Sequence, residues 1–182
     1  MSLPQQTESK TALSTEQQAD QLIEEWSRSF EQLVQRLTAG SRVRVLDDEV
    51  QEAIYGVAYT ALSGRNYKQS AALFSFLAAQ RPTEARFMAG LGHSQAGLNQ
   101  HASAVVAFAL ATHFEPDNAR HLLSMAEALL ALDEGEMAQH VLRVLEAATD
   151  GKPESEALFQ RARTLSRIIK NAHQSPAPAA SR

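Results

Sequence analysis

The residues nearest to a reaction are Gly92-His93-Ser94-Gln95-Ala96, which share the spacing of a hydrolase nucleophile elbow. An elbow needs a strand before the serine, a sharp turn at it, and Asp and His partners downstream. Here the glycine belongs to a helical column, set out below, which accounts for it. Gly90-Leu91-Gly92 suggests a phosphate loop, but no strand pattern precedes it and no Lys-Ser/Thr pair follows. The histidines His93, His101, His113, His121, His140 and His173 include no pair three or four residues apart, and cysteine is absent. No metal site is expected from such a set; these side chains read as surface or groove residues. Glu24-Glu25 and Asp47-Asp48 read as solvated faces and helix caps. No catalytic constellation emerges, so the chain is expected not to be an enzyme and to need neither cofactor nor metal.

What positions these residues is a repeat of 34 residues. Ala58, Gly92 and Ala126 keep that step, as do Ser70, Ala104 and Ala138. So do Phe74, Phe108 and Leu142; Leu77, Ala111 and Leu145; and Val57, Leu91 and Met125. Pro82 and Pro116 follow the same period, with Asp150 in the third place. Small residues recur where two helices of a hairpin approach closely, and large apolar ones where one hairpin packs on the next. The pattern predicts an all-α, tetratricopeptide-repeat solenoid of three helical hairpins, spanning 51–84, 85–118 and 119–152.

Composition bounds the rest. A chain of 182 residues, 44% apolar and 21% charged, suits one soluble globular domain. The net charge of −4, with no basic stripe, argues against nucleic acid as a partner. No apolar core of a signal peptide and no run of about 18 apolar residues is present, so neither export nor stable membrane insertion is expected. The absence of cysteine fits the cytoplasm.

Residues 1–14 are polar and aperiodic and are expected to be disordered. A helix over 15–40 follows, opened by a capping-box spacing from Ser14 and closed by Gly40. Its stripe of Leu22, Trp26, Phe30 and Leu33 serves as a cap over the first repeat or as a dimer contact, and the two roles are compatible. The repeat helices are expected near 48–62, 67–79, 83–96, 100–114, 119–131 and 135–147, with Asp47 or Asp48 capping the first. A C-terminal helix over 153–171 completes the block 48–171 and shields the last repeat's packing face. The tail, 172–182, is Pro/Ala-rich and expected to be disordered.

In stacked hairpins the first helix of each repeat lines the concave surface. Its fifth, ninth and twelfth positions are Tyr55, Tyr59 and Leu62; Ala89, His93 and Ala96; and Leu123, Glu127 and Leu130. The second positions are Glu52, Arg86 and Arg120. Such a groove is aromatic at one end and small in the middle, and it is costly to leave exposed unless a partner covers it. Tetratricopeptide proteins that clamp a C-terminal carboxylate use Lys and Asn at these places; Tyr59, His93 and Glu127 depart from that pattern.

Four segments carry a closer resemblance: Gly40-Ser-Arg-Val-Arg-Val-Leu46, Ile54-Tyr-Gly-Val-Ala-Tyr59, Ala85-Arg-Phe-Met-Ala-Gly-Leu-Gly92 and Ala126-Glu-Ala-Leu-Leu130. With the helix–three repeats–helix order, they resemble the class II chaperones of bacterial type III secretion, the SycD/LcrH/IpgC group, over residues 22–169. The resemblance implies a virulence-associated cytoplasmic chaperone that binds hydrophobic translocator proteins before export. It implies an extended client segment held by Tyr55, Tyr59, Leu62, Tyr67, Arg86, Ala89, His93, Ala96, Leu123 and Glu127. It also implies a homodimer when client-free, joined through the N-terminal helix region. The alternative is a tetratricopeptide scaffold subunit fixed in a larger protein assembly.

Overall fold

Each apolar-periodic stretch between turn residues forms one helix. In a computed structural model that describes residues 46–174, together with Arg28, Gln32, Gln35 and Arg36, these are α1 (Asp48–Ser63), α2 (Tyr67–Gln80), α3 (Ala85–Gly97), α4 (His101–Phe114), α5 (Arg120–Ala131), α6 (Gly135–Thr149) and α7 (Glu156–Gln174), the last led in by a 3-10 turn, Pro153–Ser155. No strand occurs among the described residues. The expected segment 1–14, residues 175–182 of the expected tail 172–182, and the stripe Leu22, Trp26, Phe30 and Leu33 lie outside the described residues; the four isolated positions are helical.

Some helix ends differ from expectation, each for a local reason. α3 opens at Ala85 rather than at 83 because Pro82, Thr83 and Glu84 form a turn, with the Glu84 N–H donating to the Arg81 carbonyl at 3.2 Å. α7 runs to Gln174 instead of giving way to a tail at 172. Nothing in Asn171-Ala172-His173 breaks a helix, and Pro176 is the first residue that disfavours continuation. At the start of α1, Asp47 holds the N-cap position without a side-chain cap bond. Gln51 secures this end instead: its Nε2 donates to the Leu46 carbonyl at 2.6 Å, and the Leu46 N–H donates to Gln80 of α2 at 3.2 Å.

The hairpin turns repeat with the sequence. Arg65, Asn99 and Asp133, one period apart, all adopt left-handed backbone, φ 58°, 60° and 63°. Each is followed by an N–H that reaches back across the helix end: Asn66 to Ala61 at 2.8 Å, Gln100 to Gln95 at 2.8 Å and Glu134 to Leu129 at 3.0 Å. This is the Schellman closure. It satisfies orphan carbonyls at a conformational cost that Asn and Asp bear more easily than Arg.

The columns of the repeat are the core. Ala58, Ala126, Ser70, Ala104, Ala138, Phe74, Phe108, Leu142, Leu77, Ala111 and Leu145 are all sealed from solvent. Gly92 is buried too, where a Cβ would fall 2.7 Å from the Phe108 ring. One apolar cluster gathers Ala58, Phe74, Leu77, Phe87, Met88, Leu110 and Ala111; a second gathers Ala104, Phe108, Met125, Leu129, Leu142, Leu145, Ala162 and Leu165. α4 supplies both, which explains why His101–Phe114 is apolar nearly all the way round. Ala104→Leu should therefore overpack the α3–α4 hairpin and cost about 1–3 kcal/mol. Gln100→Leu, at an exposed site, should be nearly neutral. Equal melting temperatures for the two variants would show that Ala104 has room.

The fifth column grades along the row. Val57 is 52% exposed, Leu91 half-buried and Met125 buried. The same is true of the glycine one residue earlier in each of the first two repeats. A Cβ at Gly90 would lie 2.4 Å from the Phe74 ring of the preceding hairpin, whereas at Gly56 it would meet nothing within 4 Å. α1 thus presents, among the described residues, a bare face where later first helices are covered by the hairpin before them.

Candidate functional site

Direct contact runs along the first helices: α1 touches α3, α3 touches α5, and α5 touches α7. The second helices meet the next repeat mainly through its first helix. This asymmetry makes the α1–α3–α5–α7 side the inner, concave one.

At its α1 end the groove wall is aromatic. The Tyr55 ring stands edge-on to Phe74 at 5.8 Å, tilts against Phe87 at 6.0 Å and stacks on Tyr59 at 6.3 Å. Arg86 of α3 lays its guanidinium over Tyr55 at 4.9 Å and over Phe87 at 5.0 Å. The same guanidinium is held by the Glu52 carboxylate, through two hydrogen bonds, and by Glu84 at 3.1 Å. Planarity lets one Arg stack and donate at once, which a Lys cannot do. The Glu52 hydrogen bond holds the Arg86 guanidinium above its usual value, and the reciprocal bond holds Glu52 below the usual carboxylate range. Tyr55 is consequently half-buried, while Tyr59 remains 56% exposed.

The remaining expected residues fall into three groups. Leu62 is half-buried against the first apolar cluster and Ala96 against the second; Ala89 and Leu123 are half-buried wall residues, each packed on one of the two clusters. Tyr67 opens α2 and lies against Gly97, at the end of α3, where a Cβ would come within 2.4 Å of its ring. Among the described residues no ring contact joins it to Tyr55 or Tyr59. His93 and Glu127 mark the middle and the far end of the groove.

His93 keeps solvent access, yet its ring stands edge-on to Phe108 at 4.9 Å. Burial pushes its imidazole below the usual value; the nearby His121 ring adds to this, and the Glu127 carboxylate opposes it. A histidine with a depressed folded-state value binds fewer protons than its unfolded form. It adds stability above about pH 6.5 that is lost as pH falls through the folded value. His93→Gln should remove that part, so the drop in melting temperature between about pH 7 and pH 5 should be smaller for the variant. An identical drop would show that His93 carries no such strain. Glu115 is a separate case: hydrogen bonds from His121, at 2.9 Å, and from Asn118, at 3.1 Å, hold its carboxylate below the usual range. His121 is thereby a buried, paired residue and not an open groove residue.

Reasoning from the sequence missed Arg161. Its guanidinium donates to Glu127 at 3.1 Å, across a separation of 34 residues, just as Arg86 meets Glu52 one period away. Extending the period past the third repeat marks position 161 as a candidate, because α7 stands where the first helix of a fourth repeat would; that it meets Glu127 is a tertiary contact. Phe87 is likewise absent from the expected groove residues, although it floors the Tyr55–Arg86 stack. Ser94 of the elbow-like segment is 0% exposed, donating to the Gly90 carbonyl at 2.7 Å and lying 2.7 Å from Ser70 Oγ. It is a packing residue. No group of three His, Asp or Glu suited to a metal occurs among the described residues, and no described helix is long and apolar enough to cross a membrane.

No family model matches the sequence, and no curated protein does. Several solved structures share the fold. The Yersinia enterocolitica type III secretion chaperone SycD, in complex with a peptide of the translocator YopD, matches with TM-score 0.66 and 22% identity over 70% of this chain and 98% of that one. PcrH from Pseudomonas aeruginosa matches with TM-score 0.65 and 20% identity over 72% and 99%. PcrH in complex with the chaperone binding region of PopD matches with TM-score 0.68 and 20% identity over 72% and 99%. The protein is an all-α tetratricopeptide solenoid of this architecture.

Proposed function

We propose that the protein is a chaperone for hydrophobic translocator proteins of a type III secretion system, acting by binding and not by catalysis. The observation that carries this reading is the exposed Tyr59 beside a Tyr55–Arg86–Phe87 stack, at one end of a groove floored by small residues. An extended peptide suits that shape. Its apolar side chains gain ring contacts at the aromatic end, and Ala89 and Ala96 let its backbone approach. The likeness to chaperones solved with translocator segments supports the same reading. So does the cost of leaving aromatic surface open to water on an unoccupied molecule. The chaperone would work in the bacterial cytoplasm, hold an N-terminal client segment until export, and self-associate when client-free.

The test is co-expression with the translocators encoded alongside it, followed by purification through a tag on this chain. The expected result is a discrete complex in which the translocator stays soluble and is protected from protease at an N-terminal segment. Recovery of a fixed secretion-apparatus component with no translocator would instead support a scaffold role.

A further inference from the structure

Two arginines tie a first helix to the one before it, and they are engaged to different degrees. Arg86 of α3 donates to Glu52 of α1 and to Glu84, while its plane lies on Tyr55 and Phe87. It bridges two carboxylates and has its face covered. Arg161 of α7 repeats only the first half of that arrangement. Its Nη2 donates one hydrogen bond to Glu127 of α5, at 3.1 Å, and the two side chains stay 56% and 46% exposed. Phe159 holds the place, two residues before Arg161, that Glu84 holds before Arg86. Among the described residues Arg161 has no further partner. A guanidinium presents a planar fork of N–H donors and no acceptor, so most of its donors remain available.

Arg161 also prolongs the groove. It comes one period after Tyr59, His93 and Glu127, the open middle row of the concave side, and α7 touches α5 directly. It is not among the residues of the cleft between α6 and α7, which Arg143, Arg163, Arg167 and Lys170 line from other sides. The row therefore passes from an exposed ring on α1, through an imidazole, to an ion pair with spare donors on α7. A carboxylate brought to that end becomes the second acceptor on Arg161, completing on binding the bridge that Arg86 has within the chain itself. Such charge-assisted bonds are roughly twice as strong as those to a neutral carbonyl. An ammonium there would meet a Glu127 that is already paired, and a guanidinium that repels it. We infer that the groove ends on α7 in a subsite for a carboxylate side chain of the client, an Asp or Glu, and that Arg161 selects it. The inference rests on the proposed client binding and gives it a direction, apolar residues over Tyr59 and the acidic residue toward α7. Three steps between neighbouring first helices, at about 8–10 Å each, are spanned by about seven to nine residues of extended chain.

The test uses the full chain and fluorescein-labelled overlapping peptides that tile the N-terminal segments of the translocators encoded alongside it. Affinities are read by fluorescence anisotropy, and each position of the tightest binder is changed in turn to Ala, Asp, Asn and Lys. The residue seated on Tyr59 is the one whose change to Ala weakens binding to the unaltered protein but not to Tyr59→Ala. About seven to nine residues from it, one position should favour Asp over Lys by about tenfold, with Asn between. Arg161→Gln should abolish that preference, and Arg161→Glu should invert it, at that position and no other. Arg167→Glu, the same change of charge on the cleft side of α7, should leave it intact. Peptides that bind through Tyr59 with no charge preference at any position overturn the inference and leave the client reading in place. So does a preference that persists in Arg161→Gln. A lower melting temperature in Arg161→Gln with an equal loss of affinity for Asp, Asn and Lys peptides would mean that the ion pair only ties α5 to α7, which also overturns it. Failure of every peptide to bind removes the client reading, and the inference falls with it.

Discussion

Phe74→Ala should cost about 3–5 kcal/mol of stability, a large share of the total expected for a domain of this size. The side chain is 1% exposed. Its ring fills the space above Gly90 and backs Tyr55 edge-on at 5.8 Å, so truncation opens a cavity between the first and second hairpins. Denaturant unfolding followed by circular dichroism reads the loss directly, and a cost below about 1 kcal/mol would show that the neighbourhood collapses onto the gap. The pairing with Gly90 makes a sharper form of the test. Gly90→Ala alone should overpack against the ring by about 1–3 kcal/mol. In the double variant the new methyl enters space that the ring has vacated, so the two costs should sum to less than their parts.

Tyr59→Ala should weaken binding of a labelled translocator N-terminal peptide by about thirtyfold, the equivalent of about 2 kcal/mol for an aromatic anchor. The fold should survive, because Tyr59 is 56% exposed and its one ring contact among the described residues is with Tyr55. His93→Ala, in the middle of the groove, should matter less. Tyr55→Ala should lose both binding and stability, since that ring also braces Phe74, Phe87 and Arg86. Folded Tyr59→Ala that binds as tightly as the unaltered protein would move the client site elsewhere. These outcomes separate two tyrosines that helical spacing alone makes equivalent.

The architecture was open to inspection in the sequence because a solenoid repeats its packing problem at a fixed interval. Whatever seals one hairpin must recur in the next, so Ser70, Ala104 and Ala138, or Phe74, Phe108 and Leu142, announce burial without any knowledge of contacts. Helix limits were legible for the same local reason. Turns close on residues that tolerate a break, as at Asn99, and the ends that differ by two residues or more, at 83, 147, 153 and 171, are those governed by weaker signals. The site was legible as a face and not as a set of partners. Spacing puts Tyr55 and Tyr59 on one side of α1, but the stack that half-buries Tyr55 comes from Phe87 and Arg86, one hairpin away. His121 showed no signal of burial, because its partner Glu115 belongs to a loop.

The sequence by itself therefore determined the class of element, their number from α1 to α7, and which positions face inward, since all of these follow from local period and side-chain size. Only the tertiary structure decided which charges meet, Glu52 with Arg86 and Glu127 with Arg161. It alone showed that Tyr59 stays open while Tyr55 is braced, and that basic side chains of α6 and α7 line one cleft. Pairing and exposure depend on neighbours some 34 residues away in sequence, and a neighbour at that distance is set by the curvature of the stack, which no local pattern specifies.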